Sequence, residues 1–393
     1  MIKGTVEADS WWKGISEEKL VKAEEKMLEF SGLEIDEIER YKVPYVMDQW
    51  YGEEDGKGEE RVDPYSGRRI RPLREMERRY FCCIPLCCRK HVKRVTDEYI
   101  QTYEFGDRSK QQIVLIHGLG GAGPIFFRLF QQLSEKYHVI AIDLPGMGRS
   151  SRPHFLGRTK DEAEEFYIQA LEQWREHMGL TDMYMVVHSF GAYLTSRYAL
   201  KYPERVKKIV FLSPMGCEAR PENLEINLRM VMRSNWKFGL YLRIARFLFR
   251  HQIVPDKAVK KSGRLLGKVF MKGYVKKKLP GFTKEEVPSA NDYLFQLNMR
   301  NGPAEKAISK LLILPILAHT PIFDNLDTYR AAGITTYFVY GDRDWLDTFL
   351  NGPPVSEQLR EKGENVYVIE NSDHHIYLDN SEELLDVLFD CLK

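Results

Sequence analysis

Val186-Val187-His188-Ser189-Phe190-Gly191-Ala192 joins an apolar strand pattern, Met183 to Val187, to a helical one, Ala192 to Lys201. A serine at such a strand-to-helix turn is lifted above the edge of a sheet, where its hydroxyl can serve as a nucleophile. The usual elbow carries a glycine two residues before the serine. Val187 occupies that place here. A β-branched side chain suits a strand but crowds a tight strand–helix junction. The sequence therefore leaves open an active elbow and a distorted, inactive one.

Serine is a weak nucleophile at neutral pH and needs a base, which in turn needs an acid to orient it. Two candidates follow in chain order. Asp344 lies in Tyr340-Gly341-Asp342-Arg343-Asp344-Trp345, and His374 lies in Ser372-Asp373-His374-His375. Asp342 or Asp347 could replace Asp344, and His375 could replace His374. The order Ser, Asp, His differs from that of chymotrypsin-like and subtilisin-like proteases. The backbone N–H groups of Leu119, after His117-Gly118, and of Phe190 are the candidate oxyanion donors. His374 and Asp379 also form an H-x-x-x-x-D pair like that of acyltransferases. Asp379, Asn380 and Ser381 are equally natural N-cap residues for the helix after them.

Around this stretch the chain has βα rhythm. Apolar runs at Ile113–Ile116, Val139–Ile142, Met183–Val187, Ile209–Leu212, Thr335–Tyr340 and Val366–Ile369 alternate with helical patterns. This predicts an α/β fold of the α/β-hydrolase kind, a mostly parallel sheet with helices on both faces. More than 120 residues separate the strands at Ile209 and Thr335, too many for a connection, so an inserted helical cap is expected. The predicted organisation is an N-terminal extension over 1–95, core over 96–215, a basic helical cap over 216–332, and core again over 333–393. The extension reads as a helix, an acidic loop and a basic, cysteine-containing segment.

With 393 residues, 43% of them hydrophobic, the chain can bury a full core. The net charge of +1 hides an asymmetry: residues 220–278 carry +13 and the remainder −12. That block calls for an anionic partner, with a phospholipid surface as the first choice and nucleic acid not expected. Within it Leu240, Ile244, Phe247 and Leu248 share one helical face, and Arg243, Arg246 and Arg250 share another. These arginines are candidate lipid-surface residues, although snorkelling arginines on a packed cap helix fit as well. Cys82, Cys83, Cys87 and Cys88 are too closely clustered for a disulfide framework, which fits a reducing compartment. They lack a second ligand group for zinc, so neither a metal nor a cofactor is expected. No apolar run is long enough to span a membrane, and the first residues are not a secretory signal.

Further stretches carry a resemblance. His117-Gly118-Leu119-Gly120-Gly121, the run Asp143-Leu144-Pro145-Gly146-Met147-Gly148-Arg149-Ser150-Ser151-Arg152-Pro153, and His374-His375-Ile376-Tyr377-Leu378-Asp379-Asn380 resemble one α/β-hydrolase subfamily. It includes the comparative-gene-identification-58 lipid-droplet protein, the N-acylphosphatidylethanolamine lipases and the cardiolipin deacylases. Ser10-Trp11-Trp12 and the helix after it are similar to that subfamily's N-terminus. The resemblance implies a lipid-handling protein, intracellular and peripheral to a membrane, at a mitochondrion, lipid droplet or endomembrane. Its implied activity is hydrolysis of acyl esters in glycerophospholipids or lysophospholipids, cardiolipin-type or N-acylphosphatidylethanolamine-type lipids among them. The alternatives are a non-catalytic lipid-binding scaffold or complex subunit and a lysophospholipid acyltransferase. Residues 29–95 depart from the subfamily and could hold a protein partner.

Overall fold

The structure, a computed structural model, describes residues 14–49, 94–153, 155, 157, 159–218, 240, 263–300, 302, 304–312, 317–348 and 353–393. The chain forms two compact units, one comprising Met1–Val46 with Asp97–Lys393 and the other Met47–Thr96. Most of the smaller unit, the Cys82–Cys88 cluster, Ser10-Trp11-Trp12 and the arginines Arg243, Arg246 and Arg250 lie outside the described residues.

Among the described residues eight strands form one sheet: β1 (Glu39–Gln49), β2 (Arg94–Phe105), β3 (Gln112–Ile116), β4 (His138–Ile142), β5 (Met183–His188), β6 (Val206–Leu212), β7 (Thr335–Gly341) and β8 (Asn365–Ile369). Their order is β1-β2-β4-β3-β5-β6-β7-β8. From β4 to β8 every neighbouring pair is parallel, and β2 runs antiparallel to β4. Ile113–Ile116 and Val139–Ile142 are wholly buried, as strands covered on both faces must be.

The described α-helices are α1 (Glu17–Leu28), α2 (Phe127–Ser134), α3 (Lys160–Met178), α4 (Ser189–Lys201), α5 (Gly263–Lys278), α6 (Glu286–Asn298), α7 (Ala304–Leu311), α8 (Leu326–Ala331), α9 (Val355–Glu361), α10 (Ile376–Asp379) and α11 (Ser381–Cys391). Successive strand side chains point to opposite faces. Leu115, Val186, Val210, Leu212 and Val339 share a core with Phe127 and Phe130 of α2 and Leu384 and Leu388 of α11. Helix α4 packs on β5 and β6 and against both α3 and α8.

The described part of the N-terminal stretch holds a helix and an edge strand. Helix α1 starts at the N-cap Ser16, whose hydroxyl accepts from the Lys19 N–H, with Glu17 and Glu18 in the first turn. One face of it, Leu20, Ala23, Met27 and Leu28, enters the same core as α2 and α6. An amphipathic helix with so wide an apolar stripe must bury it somewhere. Strand β1 adds to the sheet edge. The α1 segment is thus core material rather than an appendage. Between β6 and β7, α5 to α8 occupy the insertion where the cap was expected, and 219–239 and 241–262 lie outside the described residues.

Candidate active site

Strand β5 ends at His188 and α4 begins at Ser189, whose φ is +52°. Non-glycine residues seldom adopt positive φ, and a strained serine at this junction is what an elbow requires. Val187 does not disturb it. Its side chain is buried, and it sits in register between Ile116 of β3 and Phe211 of β6. Room is made on the helix side instead. A Cβ at Gly191 would lie 2.4 Å from the His117 carbonyl oxygen and 2.9 Å from Ile116 Cγ2. The glycine after the serine is therefore the one this junction demands.

His374 Nε2 lies 3.0 Å from Ser189 Oγ. Its Nδ1 lies 3.4 Å from Asp344 Oδ1, and the Asp344 side chain is fully buried. Burial pushes the Asp344 carboxyl up, but the His374 imidazole, the Ser213 hydroxyl and the Leu346 N–H together hold it below the usual carboxylate range. The alternatives are engaged elsewhere. Asp342 accepts from the Ser372 N–H at 2.8 Å, and Asp347 accepts from the N–H and hydroxyl of Ser356, both at 2.7 Å. His375 pairs through Nδ1 with the Tyr377 hydroxyl at 2.8 Å.

Phe190 follows Ser189 in the chain, and Leu119 follows Gly118, whose backbone runs close to the serine. Phe190 opens the first turn of α4, where N–H groups have no intrahelical acceptor. Its ring is buried against Tyr167. Leu119 follows Gly118, where a Cβ would come within 2.8 Å of Ser189 Cβ. Only glycine lets this loop run so close to the serine. Asn298, in the last turn of α6, donates to the Gly120 carbonyl at 3.1 Å and ties the insertion to the same loop.

Asp379 does not cap α11; the side chain of Asn380 does, accepting from the Glu383 N–H at 3.3 Å. Asp379 accepts instead from the Asp373 N–H at 2.9 Å and so braces the loop that carries His374. Removing the brace lets the imidazole drift, and misplacement by about 1 Å can cost about 100-fold in rate. Asp379→Ala is accordingly expected to slow the labelling of Ser189 by a serine-directed phosphonate about 10–100-fold with Tm nearly unchanged. An unaltered labelling rate would contradict this.

His188 carries no signal of its role in the sequence, because its partner lies 186 residues away. Its Nε2–H donates to the His374 carbonyl at 3.0 Å, and its ring lies 4.7 Å from that of His374. His117 is equally structural. Its Nε2 accepts from the Leu144 N–H at 3.0 Å, which leaves Nδ1–H to donate to the Gly118 carbonyl at 2.6 Å.

Burial lowers the His117 pKa to about 4, against a weaker upward pull from the Gly118 carbonyl. It also holds His188 and His375 well below the usual histidine range, with the neighbouring His374 adding to the effect. These groups stay neutral in the fold and protonate in the unfolded chain, so their contribution is present above about pH 6.5 and is lost as pH falls. Asp143, raised to about 7 by burial and then by Glu24, works the other way, as does Glu24, also raised by burial. Glu218, raised to about 7 by burial, and Asp347 and Asp379, also raised by burial, oppose the imidazoles in the same way, so the two sets largely offset one another as pH falls below about 6.5.

Among the described residues no cluster of side chains is arranged to hold a metal ion, and no helix is long and apolar enough to cross a membrane.

The sheet order, the elbow and the convergence of Ser189, His374 and Asp344 define a known class. The family described as alpha/beta hydrolase fold matches residues 112–381, and this chain belongs to it. It is 27% identical over 289 residues to a 1-acylglycerol-3-phosphate O-acyltransferase of Arabidopsis thaliana, covering 72% of this chain and 66% of that relative. It is 27% identical over 277 residues to a (lyso)-N-acylphosphatidylethanolamine lipase of Mus musculus, covering 69% and 76%. The chain thus spans just under two thirds of the plant relative's length. Among solved structures it is similar to the carboxylesterase CesB of Bacillus subtilis, with TM-score 0.54 and 11% identity, covering 95% of this chain and 97% of that one. That last likeness is one of fold alone. The relatives bear out the resemblance read from the motifs.

Proposed function

We propose that this chain is a serine acyl-ester hydrolase acting on glycerophospholipids or lysophospholipids at a membrane surface, with cardiolipin-type and N-acylphosphatidylethanolamine-type lipids as the candidate substrates. The observation that carries this reading is the 3.0 Å approach of His374 Nε2 to Ser189 Oγ, with Asp344 at the far side of the same imidazole. In this reading Ser189 Oγ attacks the acyl carbonyl while His374 Nε2 takes the hydroxyl proton. Asp344 holds the imidazole in its tautomer and stabilises the imidazolium. The N–H groups of Leu119 and Phe190 receive the oxyanion, and each such donor is worth roughly 3–4 kcal/mol of barrier. His374 then returns the proton to the departing glycerol oxygen, leaving Ser189 acylated. Water repeats the sequence, releasing the fatty acid and restoring the serine.

The lipid substrate is supported by the lipase and acyltransferase relatives. The acyltransferase names also favour a second reading, in which the acyl group passes from Ser189 to the hydroxyl of a lysophospholipid instead of to water. One experiment separates the two. Diacyl and lysophospholipids of varied head group are incubated with the protein, with and without acyl-CoA, and products are followed by mass spectrometry. Fatty acid and lysolipid released without acyl-CoA support hydrolysis. New diacyl lipid that forms only with acyl-CoA supports transfer. Absence of both products with a folded protein favours the non-catalytic scaffold.

A further inference from the structure

Helix α5 rests on the rest of the molecule by a narrow stripe. Gly263, Gly267, Met271 and Val275, spaced four apart, are its buried residues. A Cβ at Gly267 would lie 2.8 Å from Met299 Sδ and 3.1 Å from a Phe295 ring carbon, so the glycine seats α5 tightly on α6. The remainder of the helix faces outward, and much of it is apolar. Leu265 is 82% exposed, Leu266 56%, Val269 67%, Phe270 54% and Tyr274 46%. At 3.6 residues per turn these five lie along one continuous face. A contiguous apolar face of this kind marks a surface that is covered in use.

We infer that this face of α5 docks on a bilayer containing anionic lipid. Two observations select that occupant. The first is charge. Lys268, Lys272 and Lys276 run along one edge of the apolar face, and Lys277 and Lys278 follow at the helix end. An apolar strip edged with lysines matches the layered chemistry of a membrane surface, acyl boundary beside phosphate. A second copy of the chain pressed against the same face would bring two lysine edges together. The second observation is position. Just past the end of α5, a Cβ at Gly281 would lie 2.5 Å from the Leu378 carbonyl oxygen and 2.6 Å from Asp379 Oδ1, so the helix leads onto α10, the segment that follows His374 and His375. The Tyr377 hydroxyl pairs with His375, whose ring lies 5.2 Å from that of His374. The docking face thus ends beside the candidate active site, where a lipid leaving the bilayer would enter.

This inference rests on the lipid-substrate reading, and binding measurements separate the two. The full chain is floated with vesicles of phosphatidylcholine alone and of phosphatidylcholine with phosphatidylglycerol. The triple variant Leu266→Ser/Val269→Ser/Phe270→Ser changes exposed side chains only, and its Tm is checked first. It is expected to lower partitioning onto both vesicles by about tenfold or more. Lys272→Glu/Lys276→Glu is expected to lower partitioning onto the anionic vesicles alone and to flatten its salt dependence. Hydrolysis of a short soluble ester should be unchanged in both variants. Equal flotation of the triple variant and the native chain would overturn the inference. So would a native chain that ignores vesicles but forms a dimer, seen by light scattering, which the triple variant disrupts. Vesicle binding lost as expected, with no ester hydrolysis by the native chain, would leave the docking face standing and sink the hydrolase reading.

Discussion

Replacing Ser189 by alanine is expected to lower kcat for phospholipid deacylation by about 10⁴–10⁶-fold while leaving Tm within about 2 °C. The size follows from the chemistry. Without Oγ there is no covalent intermediate, and only binding and the oxyanion N–H groups remain to assist attack by water. The structural cost is small because alanine keeps the Cβ already accommodated beside Gly118. Asp344→Asn tests a different link. The amide keeps the side chain's shape but reverses the preferred tautomer of His374, and a loss of about 10⁴-fold is expected. The two changes together should cost little more than Ser189→Ala alone, since the groups act as a unit. Deacylation that survives Ser189→Ala would show that the reacting oxygen lies elsewhere.

The largest effect on stability is expected at Arg149. Its guanidinium donates to Glu24 at 2.8 Å and lies 3.3 Å from Glu17, while its backbone N–H donates to Asp143 at 2.7 Å. Glu24 is completely buried, and Arg300, at the end of α6, reaches Glu17 at 3.3 Å. Two cations thus tie α1 to its surroundings, Arg149 to the loop after β4 and Arg300 to the insertion. Burial raises the Glu24 carboxyl, and Arg149 is the main influence opposing that rise. Arg149→Met strands the buried Glu24 carboxyl and is expected to cost about 3–5 kcal/mol in a urea titration. Adding Glu24→Gln should recover a good part of this, because the cost comes mainly from uncompensated charge. A single-variant loss below about 0.5 kcal/mol would contradict the network.

The catalytic-face geometry was legible in the sequence because each candidate residue falls at a strand end, where the chain must turn sharply. Ser189 follows β5, Asp344 follows β7 and His374 follows β8. The strand order follows from βα alternation and buried apolar runs. The choice among Asp342, Asp344 and Asp347 was not legible, since spacing alone cannot say which carboxylate turns inward. The approach of His374 Nδ1 to Asp344, with Ser372 and Ser356 holding the other two, decides it. The role of α1 was hidden for a similar reason. Its apolar stripe announces burial but not the surface that receives it, and a long polar stretch separates it from the core. In the sequence Asp379 fits both a helix cap and the acid of an H-x-x-x-x-D pair, and neither pattern points to its partner, the Asp373 N–H of the preceding turn. The run Gly146–Arg152 stood out as a family marker with no chemistry attached. The structure gives it a structural role: Ser150 and Ser151 accept from the N–H groups of Gln101 and Tyr99, both at 2.9 Å.

The most direct test of the central claim needs no choice of lipid. The purified native chain and Ser189→Ala are exposed to a fluorophosphonate, which phosphonylates only an activated serine. Labelling of the native chain, absent in Ser189→Ala, is the predicted result and would show that a valine at 187 is compatible with a working elbow. A folded native chain that stays unlabelled, or equal labelling of both, would contradict the account.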